Sequence, residues 1–170
     1  MLCRRNPRRV GVVLASLLAL GWLTGCEDDP PKARATAPGA KDPAIELKMV
    51  PPEGDLSQLL EAEQQRARAE GRTLLVYVGA PWCEPCQHFK TAVKRGDLDA
   101  RFPKLRLLEL DRDQDEERLA AAGCLSRMIP LLARVERGRC SETARMEGSI
   151  KGAGAVAEMT PRLQALLARP

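Results

Sequence analysis

The sequence predicts an α/β domain in which a central mixed β-sheet is covered by helices on both faces. Helical and strand patterns alternate from residue 55 onward. The run Thr73–Val78 is almost continuously apolar, as expected of a central strand that is buried on both sides. Two later strand patterns are joined by the short turn Arg137-Gly138-Arg139, which adds an antiparallel hairpin. Together these three observations favour a sheet with both parallel and antiparallel strands.

Residues 1–25 have the pattern of a secretory signal peptide. A basic start is followed by a 14-residue apolar run, Val10–Leu23, which is too short to span a bilayer comfortably. The end of the segment, Leu23-Thr24-Gly25-Cys26, is similar to the bacterial lipoprotein signal, in which the cysteine is lipidated and becomes the new N-terminus. We therefore expect Cys26 to anchor the protein to a lipid bilayer. The alternative is an ordinary secreted protein that is cut nearby.

Residues 26–54 are expected to form a flexible tether. The segment is rich in proline, alanine and charge and has no sustained apolar periodicity. Such a segment buries too little apolar surface to offset the entropy lost on ordering. Within it, Ile45, Leu47 and Met49 alternate with charged residues, which would suit a short N-terminal edge strand over residues 45–50.

The remaining elements belong to one domain over residues 55–170. Asp55 or Ser57 can cap a first helix, which runs to Glu70 and stops at Gly71. Its charged side chains are interpreted as a solvated face: Glu61, Glu63, Arg66, Arg68 and Glu70. After strand 73–78, the predicted elements are a helix over 87–95, a strand over 105–110, a helix ending near residue 122, strands over 131–135 and 141–146, and a last helix.

Two details of these later elements carry predictions of their own. Thr160 is expected to cap the last helix with Pro161 at its first position, where proline costs no hydrogen bond. The acidic run Asp111–Glu117 is interpreted as a solvated helix start rather than a cation site, because Arg112 interrupts it and it lacks the glycine pattern of a calcium loop.

Composition argues for one domain and against nucleic acid as a partner. A chain of 170 residues with 44% hydrophobic content can build one core, but not comfortably two. Four arginines within residues 1–25 account for the formal charge of +4, and removing that segment leaves 23 basic and 23 acidic side chains. A mature protein with no net charge lacks the excess of basic side chains that nucleic-acid binding requires.

Two cysteines stand at the predicted strand-to-helix junction, in the string Trp82-Cys83-Glu84-Pro85-Cys86. A cysteine at the first turn of a helix has its thiolate stabilised by unpaired backbone N–H groups and by the positive end of the helix dipole. We therefore expect Cys83 to have a lowered pKa and to act as the nucleophile. Cys86 lies one helical turn on, where it can close an intramolecular disulfide and act as the resolving thiol.

The string from Ala80 to Cys86, with Met128-Ile129-Pro130 before another apolar run, resembles the thioredoxin superfamily over residues 55–170. The resemblance implies a thioredoxin-like fold and thiol-disulfide exchange without a metal or organic cofactor. It also implies a cis Ile129–Pro130 bond packed against the active-site disulfide. The supporting and substrate-binding residues would be Trp82, Pro85, Ile129 and Pro130. The alternative for Trp82 is plain packing in the core. The alternative for Pro130 is an ordinary proline in a loop, with no role in the site.

Three positions depart from the usual pattern of that superfamily. Tyr77 stands where thioredoxins often have a buried aspartate, so the proton acceptor for the resolving thiol is open. Glu109, on the neighbouring predicted strand, is a candidate acceptor, and a solvated edge position is its alternative. Glu84 replaces the common glycine between the cysteines, and its charge should oppose the nucleophilic thiolate. Leu131 replaces the threonine often found after the cis-proline, so partner choice is not implied.

The other cysteines are assigned by position. Cys3 leaves with the signal peptide, and Cys124 and Cys140 remain after the anchor and the redox pair are counted. These two could form a structural disulfide in an extracytoplasmic compartment. However, Cys140 falls near the turn at Gly138, whereas Cys124 lies six residues before Pro130. We therefore expect two buried or free thiols.

His88 is the only histidine. With Cys83 and Cys86 it could supply three metal ligands, but a helix residue two positions from its neighbour points away from it. Gln87 also rules out the Cys-x-x-Cys-His string of haem attachment. We expect a solvent-facing histidine and assign no metal.

The sequence thus predicts a membrane-tethered thiol-disulfide oxidoreductase of the bacterial cell envelope, facing the periplasm. Its expected partners are thiols or disulfides of exported proteins, a membrane-embedded electron donor, and the bilayer itself. We expect the protein to reduce the disulfides of its partners. The direction is decided by the reduction potential of the Cys83–Cys86 pair, which a sequence does not provide. The alternative from another class is a non-catalytic thioredoxin-fold binding module that holds a partner or a metal. A disulfide isomerase ranks lower because no dimerisation segment is evident.

Overall fold

The computed structural model describes residues 44–169. The predicted signal peptide, Cys26 and the tether up to residue 43 lie outside the described residues. The strands are β1 (Ile45–Met49), β2 (Thr73–Gly79), β3 (Leu105–Asp111), β4 (Leu131–Glu136) and β5 (Arg139–Glu147). The helices are α1 (Leu56–Ala69), α2 (Glu84–Arg95), α3 (Glu116–Ala121) and α4 (Ala155–Ala168). Over this part of the chain, no helix has the length and apolar character needed to cross a bilayer.

The five strands form one mixed sheet in the order β1-β3-β2-β4-β5. The first three strands of that order are parallel, whereas β4 runs antiparallel to β2, and β5 to β4. The predicted mixed sheet is therefore confirmed. Val78 near the end of β2 pairs with Leu131 at the start of β4. Consequently the cysteine string that follows β2 and the Ile129–Pro130 pair that precedes β4 lie at the same edge of the sheet.

Helices cover both faces of the sheet, as predicted. Alternate residues of β2 point to opposite faces, and all its residues from Leu74 onward are buried. One face packs against α2 and α4 and includes both Cys83 and Cys86. The other face packs against α1 and α3 and includes Cys124 and Cys140. The two cysteine pairs therefore belong to separate cores.

The strand suggested within residues 45–50 is present as β1. Its backbone pairs with β3 from Ile45 opposite Leu105 to Met49 opposite Glu109. Ile45 is buried in the core, while Met49 at the other end is exposed. Because these ladder bonds offset the entropy of ordering the segment, the folded domain starts before residue 55, and the tether cannot extend to residue 54.

Helix α1 follows its prediction except at Glu63. Asp55 caps it as expected, since its Oδ1 accepts a hydrogen bond from the Gln58 amide at 2.9 Å. Glu63, however, is buried rather than part of a solvated face. Lys48 Nζ and Arg66 Nη1 both donate to its Oε1 at 2.6 Å. The prediction that Glu63 faces solvent was wrong because its partner Lys48 belongs to β1. The sequence pattern of α1 does not indicate a partner on another element.

Helix α4 begins earlier than predicted. It starts at Ala155, so Pro161 lies inside the helix and Thr160 is not its cap. Instead, the Thr160 hydroxyl donates to the Val156 carbonyl at 2.7 Å. The buried face of the helix consists of Ala155, Met159, Leu163 and Leu166. Burying Met159 is worth about 1.5–3 kcal/mol, which is comparable to the cost of about 3 kcal/mol for an interior proline.

Two other helices also begin at different residues than predicted. Helix α2 starts at Glu84, three residues before the predicted start at 87. Helix α3 starts at Glu116, so most of the acidic run precedes it as a turn. In that turn, Asp111 Oδ1 accepts hydrogen bonds from the amides of Asp113 and Gln114 at 2.9 and 3.1 Å. Short-range side-chain capping of the turn thus replaces a first helical turn.

Glu63 makes the stability of the fold depend on pH. Burial raises the pKa of Glu63, but hydrogen bonds from Lys48 and Arg66 outweigh it and hold the pKa below the ordinary value of 4.5. A carboxyl whose pKa is lowered by folding stabilises the fold above its unfolded pKa, and this contribution disappears as pH falls through the folded value. We expect Glu63→Gln to lower the free energy of unfolding at neutral pH, with the difference from wild type narrowing below pH 4.5.

Denaturant unfolding at about pH 7 and again at about pH 3 measures this change. Glu61→Gln is the matched control, since Glu61 is exposed on the same helix. A constant difference between wild type and Glu63→Gln at both pH values would contradict the prediction.

Candidate functional site

Cys83 is the N-cap residue of α2 and is joined to Cys86 by a disulfide. Its backbone is extended, with φ −82° and ψ 101°, and its Sγ accepts a hydrogen bond from the Cys86 amide at 3.3 Å. The two sulfurs are 2.01 Å apart, and the Cα atoms are 5.2 Å apart. Because Cys83 Sγ faces the unpaired N–H groups of the first helical turn, a negative charge on this sulfur would be stabilised there. The pair can accept two electrons and become a thiolate and a thiol.

Tyr77 lies beneath the disulfide. Its side chain is buried, and its hydroxyl donates to the Cys86 carbonyl at 2.9 Å. Burial raises the pKa of Tyr77, and the nearby Glu109 charge raises it further. Tyr77 therefore stays a neutral phenol at physiological pH and cannot take a proton from Cys86. Its neighbour Gly79 has no room for a side chain, since a Cβ there would lie 3.0 Å from the Tyr77 hydroxyl and 3.3 Å from Cys86 Cβ.

A cavity of about 500 Å³ adjoins the disulfide, and Cys86, Tyr77 and Glu109 are among its lining residues. Tyr77 and Glu109 are paired in the register of β2 and β3, so their side chains emerge on the same face. Lys90 on α2 donates a hydrogen bond to Glu109 Oε1 at 2.5 Å. The structure thus places Glu109 in a partly buried ion pair on the same cavity as Cys86, and the alternative of a solvated edge position was wrong.

Trp82 lies at the surface beside Cys83. It is 65% exposed, and its Nε1 donates to Asp113 Oδ2 at 2.6 Å. Plain core packing is therefore not its role. Pro85, by contrast, is buried within the first turn of α2. The turn between β3 and α3 holds the Trp82 ring in place through Asp113, and no pattern in the sequence indicated that partner.

The Ile129–Pro130 peptide bond is cis, as the resemblance implied. Pro130 is buried, and its carbonyl accepts a hydrogen bond from the Gly148 amide at 2.9 Å. Ile129 packs against the core that contains Cys83 and Cys86. Pro130 therefore reaches the sheet edge at which the disulfide lies.

Exposed apolar side chains are present on the segments around this edge. Besides Trp82, Met128 is 59% exposed and Ile150 is 54% exposed. Met128 closely contacts Gly148, because a Cβ at that glycine would lie 2.8 Å from Met128 Cε. These side chains form an apolar rim that a polypeptide can contact.

Glu84 lies close to His88 and to the loop between β5 and α4. Glu84 Oε1 accepts a hydrogen bond from the Gly152 amide at 3.1 Å and lies 3.6 Å from His88 Nε2. Glu84 therefore ties the cysteine string to the loop between β5 and α4. Within residues 44–169, no group of three or more His, Cys, Asp or Glu side chains is arranged to hold a metal ion.

Cys124 and Cys140 form a disulfide, so the expectation of separate thiols was wrong. Their sulfurs are 2.01 Å apart and their Cα atoms 5.0 Å apart. The chain reverses after α3 at Gly123, whose φ is +67°, and the start of β5 passes alongside, with the Cys140 amide donating to the Ala122 carbonyl at 3.0 Å. The signal that could have found the bond is the even number of cysteines that remains after Cys3, Cys26 and the Cys83–Cys86 pair are set aside.

The chain is similar to one protein family and to several solved structures. A family model described as thioredoxin-like matches residues 55–136. Among solved structures, a thioredoxin variant from Halobacterium salinarum is 21% identical with a TM-score of 0.46, over 75% of this chain and 92% of its own. A poplar thioredoxin h is 19% identical with a TM-score of 0.48, over 75% and 99%.

A thioredoxin from Fasciola hepatica is 20% identical with a TM-score of 0.48, over 72% of this chain and 99% of its own. No curated protein matches the sequence. The matched family model and the strand order support the same assignment. Residues 44–169 have a thioredoxin-like α/β fold, with a five-stranded mixed sheet, four helices and a disulfide at the start of α2.

Proposed function

We propose that the protein is a thiol-disulfide oxidoreductase that reduces disulfides of exported proteins. The observation that carries the proposal is the Cys83–Cys86 disulfide at the N-terminus of α2, where the Cys86 amide donates to Cys83 Sγ. This position favours the thiolate of Cys83 once the bond is reduced. The thiolate is the form that attacks a disulfide.

The reaction proceeds in two exchanges. The Cys83 thiolate attacks one sulfur of the client disulfide, so that a mixed disulfide forms and the second client sulfur leaves as a thiolate. Cys86 then loses its proton and attacks Cys83 Sγ, and the first client sulfur leaves as a thiolate. The client gains two electrons, and the pair returns to the disulfide present in this structure.

Glu109 is the proposed acceptor of the Cys86 proton. It lines the same cavity as Cys86, and it is beside Tyr77, which contacts the Cys86 carbonyl. The phenol of Tyr77 cannot take this role because it is already protonated. The cavity of about 500 Å³ has space for water, and its lining includes the polar side chains of Tyr77, Gln87 and Glu109. Through such water the proton can reach the carboxylate.

The apolar rim is the proposed contact surface for clients. Trp82 exposes most of its surface next to Cys83, and Met128 does so two residues before the cis-proline. Ile150 lies on the loop whose Gly152 amide donates to Glu84. An unfolded or extended polypeptide offers apolar side chains and free backbone groups to such an edge. Pro130 and Ile129 would supply the backbone part of that contact.

We further propose a lipid anchor at Cys26 and a location in the bacterial envelope, facing the periplasm. The support is the lipoprotein-like string at residues 23–26. A buried disulfide between Cys124 and Cys140 is consistent with an oxidising compartment. Electrons would come from a donor embedded in the membrane.

Replacing either cysteine of the pair should separate the two exchanges. We expect Cys83→Ser to lose insulin reduction entirely and Cys86→Ala to accumulate a mixed disulfide with the client, because nothing resolves it. Gel electrophoresis with and without reductant detects the trapped species, and Cys83→Ser/Cys86→Ala is the control. Equal, negligible rates in wild type and Cys83→Ser would indicate a binding module instead of an enzyme.

Glu109→Gln should slow the second exchange and spare the first. Loss of a proton acceptor typically costs about 10²-fold or more, so client release from the mixed disulfide should slow by about that factor near pH 7. Raising the pH above about 8.5, the ordinary cysteine pKa, should restore the rate because Cys86 then ionises unaided. Stopped-flow measurement of both steps tests this.

Attack of Cys83 on the client provides the internal control for Glu109→Gln. A variant that merely loosened the Lys90 ion pair would show no rescue at high pH. A defect of the same size at every pH would therefore refute Glu109 as acceptor.

Glu84→Gln should lower the pKa of the Cys83 thiol. The glutamine keeps an oxygen for the Gly152 amide, which glycine would not, and removes only the charge. Exposed charges interact by about 0.2–1 kcal/mol, so the expected shift is about 0.2–0.7 units. Ultraviolet titration of the thiolate measures it, with Glu61→Gln as the distant control. An unchanged or higher pKa in Glu84→Gln would contradict the electrostatic interpretation.

A further inference from the structure

The second disulfide lies away from the reactive one and is closed to solvent. Cys124 has no exposed surface and Cys140 only 5%. Both belong to the core on the face of α1 and α3, whereas Cys83 and Cys86 belong to the core on the other face. A client sulfur cannot reach the Cys124–Cys140 bond, so this bond is no second exchange site.

Cys124 immediately precedes the loop that leads to the cis-proline. We define the proline loop as residues 125–130, which run from this cysteine to the cis-proline and include Met128 and Ile129. The far end of the loop is held where the Gly148 amide donates to the Pro130 carbonyl at 2.9 Å. The loop is thus held by the Cys124–Cys140 disulfide before its first residue and by the Gly148 hydrogen bond at its last residue.

Strand β5 and the residue after it hold both ends of the proline loop. At the start, Arg139 donates to the Ala121 carbonyl at 2.7 Å and Arg145 to the Gly123 carbonyl at 3.1 Å. Cys124, at the base of the loop, is also bonded to Cys140 of β5. Within residues 44–169 this disulfide is the only covalent cross-link between the base of the loop and β5. Cys140, at the other side of that bond, is the second residue of β5.

Inside the loop, the hydrogen bonds of Ser126 are local. Its hydroxyl donates to the Met128 carbonyl at 2.8 Å and accepts from the Met128 amide at 3.1 Å. These contacts fix the shape of the turn but do not tie it to the sheet. The position of the loop relative to the Cys83 sulfur therefore depends on the packing of Ile129 and on how the two ends of the loop are held.

We propose that the Cys124–Cys140 disulfide is a positioning element that sets the proline loop for polypeptide clients. The inference rests on the proposed function and assigns the bond to client binding rather than to the chemistry at Cys83. With the bond absent, the loop base samples more positions, and a client must order it on binding. The reactivity of the Cys83 sulfur is unchanged, because its N-cap contact is made on the opposite face of the sheet.

The test compares wild type with Cys124→Ala/Cys140→Ala on two disulfides. For insulin, we expect KM to rise about tenfold with kcat within about twofold of wild type. For a small aromatic disulfide, which needs no loop contact, the rate should stay within about twofold. Equal losses on both substrates, or no loss on either, would overturn the proposal.

Two further measurements keep the test decisive. Amide hydrogen exchange should show loss of protection at residues 125–129 in the variant with no change in α2; unchanged protection at these loop amides would overturn the proposal without reference to activity. A wild type that reduces neither disulfide would refute the proposed function instead. If the alanine pair fails to fold, Cys124→Val/Cys140→Val, which refills more of the buried volume, replaces it in every measurement.

Discussion

The hydrogen bond from the Cys86 amide to Cys83 Sγ is the contact around which the site is built. It requires α2 to begin directly after β2, with only residues 80–83 between them. It also requires β2 to be the central strand, so that α2 can pack along one face and leave its N-terminus at the sheet edge. The same edge receives Pro130, because β4 runs antiparallel to β2 and starts there. The chemistry of one sulfur thus depends on strand order as much as on its own sequence neighbours.

The parts of the fold that were predictable depend on local patterns. The apolar run of β2, the Asp55 cap of α1 and the cysteine string each involve residues within a few positions of one another, so periodicity and capping suffice to locate them. The cis-proline came from resemblance rather than from the residues. Its position against the core of the redox pair became clear only from the pairing of Val78 with Leu131.

The parts that failed depend on partners distant in the chain. Glu63 was assigned to solvent because its charge suits a helix surface, yet a lysine from β1, 15 residues earlier, gives it a buried partner. The Cys124–Cys140 bond was ranked below two separate thiols because the two residues lie at different places along a predicted hairpin. The reversal at Gly123 brings them together, and a single sequence does not show which way a chain leaves a helix. In both cases a contact with a residue distant in the chain decided the outcome, and the local sequence pattern did not contain that contact.

Tyr77 and Glu109 are paired across β2 and β3, and both line the cavity that Cys86 also lines. Tyr77 is buried, and its hydroxyl donates a hydrogen bond to the Cys86 carbonyl. Parallel pairing of β2 with β3 places Glu109 next to Tyr77 on the same face and at the cavity wall. There Glu109 is partly buried and forms an ion pair with Lys90. In the mechanism that we propose, packing against Cys86 and acceptance of its proton are therefore divided between two residues on neighbouring strands.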